Sequence, residues 1–253
     1  MRNRLKAART VPVALALAVV AMPAQARRDS VAATYDTHRV KAIESVIPVA
    51  AVGAAALFTG DGCLGELRKD AQCAFNDGGG RKTYADDYLQ YTPMVAAYAL
   101  DLCGIDAAHN FKDRTIILAM AYATMGLTVN GIKLAANERR PDSPARNSFP
   151  SGHTATAFMG AELMRREFKD SSPVAAYSGY AVATAVGVLR VCNNRHWVND
   201  VVAGAAIGIA STKLAYWLYP RIFTKHKGQD APAVVALPSC QDGGCTLTAC
   251  IAF

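Results

Sequence analysis

The sequence offers little that would suit a nucleic-acid-binding protein, although its net charge is +7. Its 27 lysines and arginines are dispersed, with no aromatic interleaving and no known motif, so nucleic acid is excluded as a partner. None of the seven cysteines has the spacing to histidines that holds zinc, so we expect no metal site and no cofactor. Strand patterns are scarce before a short irregular or β C-terminal tail, and internal repeats are absent, which favours an all-α fold.

The first 26 residues resemble an export signal. Four basic residues stand before an apolar run at 11–22, and Ala24-Gln25-Ala26 is a small-x-small cleavage site. A retained membrane anchor is the alternative that the sequence leaves open. The expected division is a signal peptide at 1–26, a main domain at 27–227 and a tail at 228–253.

An exported protein reaches an oxidising compartment, where cysteines pair. Seven is an odd number, so the cysteines cannot all pair within the chain. Cys63 and Cys73, across a segment rich in Gly and Asp, are one candidate bridge, and two of the last three cysteines are another. Cys192 is expected to be packed in the interior.

Six helices are expected from apolar runs and from the breaker residues between them. Their ranges are about 42–59, 94–103, 115–132, 154–168, 172–189 and 200–219, with Asp200 capping the last. Two ranges, 115–132 and 172–189, are runs of eighteen uncharged residues, just long enough to cross a bilayer. The third helix is expected to continue to Arg140, and residues 60–84 are expected to form a loop.

The segment Pro150-Ser151-Gly152-His153 precedes the fourth helix. Gly152 lets the backbone approach a ligand closely, and free N–H groups at a helix start bind anions. Ser151 is also a candidate helix cap, which is the commoner role of such a turn. His153 is a candidate proton donor.

Three groups of polar residues lie at helix ends: Lys133 with Arg140, Ser151 with His153, and Arg190 with His196 and Asp200. Successive helices joined by short loops are antiparallel, so these groups are expected to meet at one end of the bundle. The three cations suit the oxygens of a phosphoryl group, and Ser151 and Gly152 complete the cradle. A carboxylate on one nitrogen of His196 leaves the other nitrogen nucleophilic.

Together these residues resemble the three-part signature of the type 2 phosphatidic acid phosphatase superfamily, which also contains vanadium haloperoxidases and bacterial class A acid phosphatases. The parts are Lys133-x6-Arg140-Pro141, Pro150-Ser151-Gly152-His153 and Arg190-x5-His196-x3-Asp200. The resemblance implies a six-helix core that is embedded in a membrane, with attack by His196 through a phosphohistidine. Leu189 stands where the family usually has serine, so one hydrogen bond to phosphate is expected to be missing.

Three further segments, at 86–93, 114–119 and 193–197, resemble the lipid phosphatases of Bacteroides-type bacteria that are similar to lipid A 4′-phosphatase. The implied activity is metal-independent hydrolysis of a phosphate monoester or diphosphate of a lipid, such as lipid A. The alternatives are a soluble periplasmic non-specific acid phosphatase, a vanadate-dependent haloperoxidase and a non-enzymatic lipid-phosphate-binding protein. Asp86 and Asp87 are expected to cap the second helix rather than contact cations.

The expected partners are a phosphorylated lipid and the membrane, and the sequence does not indicate an oligomeric state. Basic residues at the end opposite the predicted site favour the cytoplasm for that end, and the periplasm for a site in the inner membrane. A cleaved signal followed by six full spans would reverse this arrangement. Either an early helix does not span, the signal is retained, or the bundle is soluble in the periplasm; we favour an embedded core that faces the periplasm.

Overall fold

The computed structural model describes residues 42–59, 63–76, 83–223, 233–241 and 244–252. Within these residues the fold has eight helices and one β-hairpin. The helices are α1 (Ala42–Ala56), α2 (Cys63–Asn76), α3 (Ala85–Leu89), α4 (Thr92–Leu102), α5 (Phe111–Ala136), α6 (Gly152–Phe168), α7 (Pro173–Cys192) and α8 (Val198–Phe223). Strands β1 (Ala233–Gln241) and β2 (Gly244–Ala252) pair antiparallel, with Cys240 opposite Cys245. The predicted signal peptide lies outside the described residues.

Helix α6 is the centre of the bundle and packs against α4, α5, α7 and α8. Ser151 begins the helix, because its side-chain oxygen accepts a hydrogen bond from the N–H of Thr154. Twelve of the 17 residues of α6 are buried, including two glutamates. Glu162 binds two neighbouring arginines and Glu167 binds His109, so both carboxylates have partners inside the protein.

Helices α6 and α8 approach closely because glycines of α8 face the backbone of α6. A Cβ atom at Gly204 would lie 2.4 Å from the carbonyl oxygen of Ser151, and one at Gly208 would lie 2.3 Å from that of Ala155. The close approach fixes the start of α6 against the first turns of α8, where Asp200 lies.

Replacing Gly208 with alanine is expected to lower the free energy of unfolding by roughly 2 kcal/mol or more, because a backbone carbonyl cannot move aside as a flexible side chain does. Gly126→Ala in α5 is the matched control, since a Cβ there meets nothing within 4 Å. The control is expected to gain up to about 1 kcal/mol from better helix propensity. Unfolding in detergent micelles compares the two variants, and a Gly208→Ala protein as stable as the wild type would contradict the close approach.

The prediction of a loop at 60–84 is wrong, because this segment contains α2. Its Gly and Asp residues cluster toward the two ends, whereas 63–76 consists mainly of good helix formers. Arg68 of α2 is buried, lies 2.7 Å from a carboxylate oxygen of Glu138, and stacks 4.3 Å above the Trp197 ring. Helix α2 therefore covers the loop after α5 and the turn after α7.

The predicted bridge between Cys63 and Cys73 is also wrong. Both residues lie on α2, ten positions and therefore roughly 15 Å apart along the axis, whereas a disulfide allows a Cα separation of about 7 Å at most. Cys73 and Cys192 are free and exposed, so Cys192 is not packed in the interior as expected.

Among the residues that the structure describes, three helices are long and apolar enough to cross a membrane: α5, α7 and α8. Most of their apolar surface faces outward, since only 22%, 39% and 44% of their apolar windows are buried. Leu134 of α5 and Val174 of α7 are each 85% exposed. An apolar surface of this extent suits contact with lipid rather than with water.

Candidate active site

Helix α5 ends at Ala136, so the prediction that this helix continues to Arg140 is wrong. Asn137 adopts the left-handed backbone conformation, with φ 47°, and terminates the helix. Asn147 brings the two cations together instead. Its carbonyl oxygen accepts a hydrogen bond from Nζ of Lys133 at 2.6 Å, and its Oδ1 accepts one from Nε of Arg140 at 2.7 Å.

His196 lies in the turn between α7 and α8 and is buried. Its Nδ1 is 3.3 Å from Oδ2 of Asp200, which also accepts hydrogen bonds from the N–H of Trp197 at 3.0 Å and from the Ser148 hydroxyl. Helix α8 begins at Val198, two residues before the predicted start at Asp200. Asp200 therefore lies in the first turn, where its carboxylate accepts a hydrogen bond from the N–H of Trp197 and forms half of a capping box. When Nδ1 of His196 carries the ring proton and donates it in the hydrogen bond to Asp200, Nε2 has a free lone pair.

The loop between α5 and α6 meets the turn between α7 and α8. The N–H of Ser151 donates to the carbonyl oxygen of Asp200 at 2.9 Å, and Nε1 of Trp197 donates to that of Arg139 at 2.9 Å. At Gly152, a Cβ atom would have its nearest neighbour 3.9 Å away, so the start of α6 is not crowded. The three groups of predicted site residues therefore meet at one end of the bundle.

Arg190 lies near the end of α7, is buried, and pairs with Asp86 at 2.6 Å. Asp86 also accepts a hydrogen bond from Nδ2 of Asn193 at 3.1 Å. The second predicted helix is α4, which has no side-chain cap bond at its start. The favoured prediction that Asp86 and Asp87 cap this helix is therefore wrong, and both carboxylates instead contact Arg190. The buried Nε of Arg190 has no hydrogen-bond partner among the described residues, which leaves one donor for a ligand.

His153 lies in the first turn of α6 and is half-buried. Its Nε2 is 2.9 Å from Oδ1 of Asp87, and the same oxygen is 3.4 Å from Nη1 of Arg190. Two histidines at this end of the bundle therefore each have a carboxylate partner, Asp87 for one and Asp200 for the other.

The positive charge of Arg190 acts on several of the other site residues. Burial is the main cause that lowers the pKa values of His153, His196 and Arg140, and the charge of Arg190 lowers each of them further. The pKa of His196 falls from 6.5 to about 4, although Asp200 opposes the shift. The imidazole is therefore neutral at neutral pH, as a nucleophile requires.

Residues 114–224 match the sequence profile of the PAP2 superfamily. This range contains all but the first three residues of α5, all of α6 and α7, and α8 to its end. The chain contains a PAP2 superfamily domain. The eight residues that we predicted for the site, from Lys133 to Asp200, all lie within this PAP2 domain.

The PAP2 domain is similar to known proteins. Lipid A 1-phosphatase of Porphyromonas gingivalis is 37% identical over 172 residues, which are 68% of this chain and 37% of that protein. Bacitracin transport permease protein BcrC of Bacillus licheniformis is 32% identical over 81 residues, which are 32% of this chain and 38% of that protein. Each match therefore covers less than half the length of the relative.

A solved structure has the same fold. The transmembrane PAP2-type phosphatidylglycerolphosphate phosphatase of Bacillus subtilis superimposes with a TM-score of 0.52 at 19% identity. The match covers 72% of this chain and 98% of that one. It confirms the predicted all-α fold of PAP2 type.

Proposed function

We propose that this protein is a phosphatase of PAP2 type that removes a phosphate group from a membrane lipid through a phosphohistidine at His196. The observation that carries the proposal is the buried pair of His196 and Asp200 beside Arg190, with imidazole and carboxylate 3.3 Å apart. The 37% identity to a lipid A 1-phosphatase supports lipid A as the first substrate to test, at either of its phosphates.

The proposed reaction has two steps. Nε2 of His196 attacks phosphorus, and the bond to the leaving oxygen breaks while His153 gives that oxygen its proton. Water then cleaves the P–N bond and returns a proton to His153. Lys133, Arg140 and Arg190 stabilise the negative phosphoryl oxygens in both steps, so the proposed mechanism is independent of metal ions.

An apolar groove supports a lipid substrate. The groove has a volume of about 260 Å³ and lies between α1, α5 and α8. Its lining includes Val52, Ile132, Ile207 and Leu214. Ile132 directly precedes Lys133 in α5, so an acyl chain in the groove would continue toward the cations that hold the phosphate.

We infer that the protein lies in the bacterial inner membrane and that its active site faces the periplasm. Helices α5, α7 and α8 are the candidate spans. Lys112, Lys169 and Arg221 lie at the helix ends opposite the site, where the positive-inside rule favours the cytoplasm. The protein is therefore expected to need detergent for extraction, and release by buffer alone would favour a soluble periplasmic phosphatase.

The function is tested by measuring phosphate release from lipid A, phosphatidylglycerol phosphate and undecaprenyl diphosphate, with EDTA present. The expected result is release from at least one of these lipids, at an unchanged rate when EDTA is added. The same headgroup on a shorter acyl chain is expected to react with a higher KM, because it buries less apolar surface. Strong inhibition by EDTA would contradict the metal-independent mechanism, and no release from any lipid would contradict a lipid phosphatase.

The acid limb of kcat/KM is expected near pH 4 rather than pH 6.5, because burial lowers the pKa of His196 to about 4. The rate rises with pH through this value, since only the neutral imidazole attacks. The measurement uses two alkyl phosphates whose phosphate pKa values differ: a limb that moves with the substrate belongs to the phosphate, and a fixed limb belongs to the enzyme. A fixed limb near 6.5 for both substrates would contradict the burial of His196.

A further inference from the structure

Asp87 contacts the proposed acid of the reaction, although neither the family signature nor the phosphate cradle includes it. Its Oδ1 lies 2.9 Å from Nε2 of His153 and 3.4 Å from Nη1 of Arg190. Arg190 already has a closer and buried carboxylate partner in Asp86, at 2.6 Å. The shorter contact of Asp87 is therefore with the imidazole and not with the guanidinium.

The local structure holds Asp87 in place. Asp86, its neighbour, is tied to Arg190 and to Asn193 of the turn after α7. Asn193 also exchanges two hydrogen bonds with Thr83, at 3.0 Å and 2.9 Å, which anchor the start of α3. Because Thr83 and Asp86 anchor the start of α3, the Asp87 carboxylate is held next to His153.

The charges around His153 act in opposite directions. Burial is the largest effect and lowers the pKa of His153, and Arg190 lowers it further, whereas Asp87 and, more weakly, Asp86 raise it. A general acid must carry its proton when the leaving oxygen departs. Without Asp87, burial and Arg190 would lower the pKa of His153, and only Asp86 would oppose them.

We propose that Asp87 is a positioning residue that orients the His153 ring and favours its protonated form, from which a proton moves to the leaving oxygen. This inference rests on the proposed phosphatase function. In the step concerned, the P–O bond breaks, the P–N bond to His196 forms, and the proton on His153 moves to the leaving oxygen. Asp87 pairs with His153 before and after the transfer.

The test compares two substrates with the wild type and Asp87→Asn. Dodecyl phosphate has a poor leaving group that needs a proton, whereas 4-nitrophenyl phosphate releases a stable anion that needs none. Asp87→Asn is expected to lower kcat on dodecyl phosphate by about 10- to 100-fold, and kcat on 4-nitrophenyl phosphate by less than about threefold. Asp87→Glu is expected to recover part of the loss, because it restores a carboxylate.

Two controls separate this role from a structural one. Asp170→Asn, at a side chain that is 85% exposed near the far end of α6, is expected to leave both rates unchanged. His153→Ala is also expected to lower kcat on dodecyl phosphate much more than kcat on 4-nitrophenyl phosphate. In the double variant with Asp87→Asn, kcat is expected to fall little further than in His153→Ala. If Asp87→Asn lowers kcat equally on both substrates, or does not lower it on dodecyl phosphate, the role of Asp87 is overturned while the proposed function stands. Absence of phosphate release by the wild type on both substrates would overturn the proposed function itself and this inference with it.

Discussion

His196→Ala is expected to lower phosphate release from a lipid phosphate by about four orders of magnitude or more, because removing a catalytic nucleophile leaves only the contribution of the binding site. The structure gives this histidine the properties that the role needs. It is buried, its Nδ1 is held by Asp200 at 3.3 Å, and its pKa of about 4 keeps it neutral at neutral pH. In the proposed mechanism the three cations bind phosphate but form no covalent bond to it.

The matched control is His109→Gln, at the opposite end of the bundle. His109 binds Glu167 through its Nδ1 at 2.9 Å and does not belong to the site, so the glutamine variant is expected to keep most of the activity. Unfolding temperatures in detergent show whether each variant is folded. A folded His196→Ala protein that retains a tenth of the wild-type rate would contradict the assignment of the nucleophile.

Asp86→Leu is expected to lower the free energy of unfolding by roughly 3–5 kcal/mol, because it leaves Arg190 buried without its closest carboxylate. Both partners are almost fully buried, at 1% exposure for Asp86 and 5% for Arg190. Asp87 does not replace the lost partner, since its oxygen is 3.4 Å from the guanidinium and its side chain is 46% exposed. Denaturant titration in mixed micelles measures the change.

The double variant Asp86→Leu with Arg190→Met separates stability from catalysis. Replacing both charges by apolar side chains is expected to restore most of the stability. Phosphate release is nevertheless expected to stay at least about 100-fold below the wild type, because the proposed mechanism needs Arg190 to stabilise the phosphoryl oxygens. An active double variant, or an Asp86→Leu protein as stable as the wild type, would contradict the account of this pair.

Asp101→Leu is the control for this pair. Asp101 binds the buried Arg114 at 2.6 Å, far from the site, so its loss also leaves a buried arginine without its carboxylate. Stability is expected to fall, whereas kcat of the folded protein is expected to stay the same. The comparison tests whether the loss of activity at Arg190 is specific to the site.

The parts of the fold that the sequence predicts well are those in which composition alone decides the structure. The uncharged runs at 115–132 and 172–189 form most of α5 and α7, because helices that face lipid need apolar residues all round. The sequence predicts the bounds of helix α6 to within two residues, but it does not predict that most of the helix is buried. Its charged residues would suit a surface, and only the pairing of Glu162 and Glu167 with partners from the helix itself and from neighbouring segments allows them to lie inside.

The site is predicted only in part, because some contacts depend on distant segments. The spacing of the motif residues is sufficient to place His196 beside Asp200, since the two are four apart at a helix start. The role of Asp86 depends on α3 packing against α7, which no local pattern reports. Asn147 organises Lys133 and Arg140 through a loop whose path follows from the left-handed residue Asn137. The only sequence feature that could have indicated this role of Asn147 is its position just before the Pro150-Ser151-Gly152-His153 motif.

The central claim is that phosphate is transferred to His196, and trapping this intermediate tests it most directly. The wild-type protein is mixed with a lipid that carries ³²P-labelled phosphate, quenched in alkali, in which phosphohistidine survives, and digested for mass spectrometry. We expect label on the peptide that contains His196 and none in the His196→Ala protein. Rapid phosphate release without label at His196, or label on another residue, would contradict the mechanism.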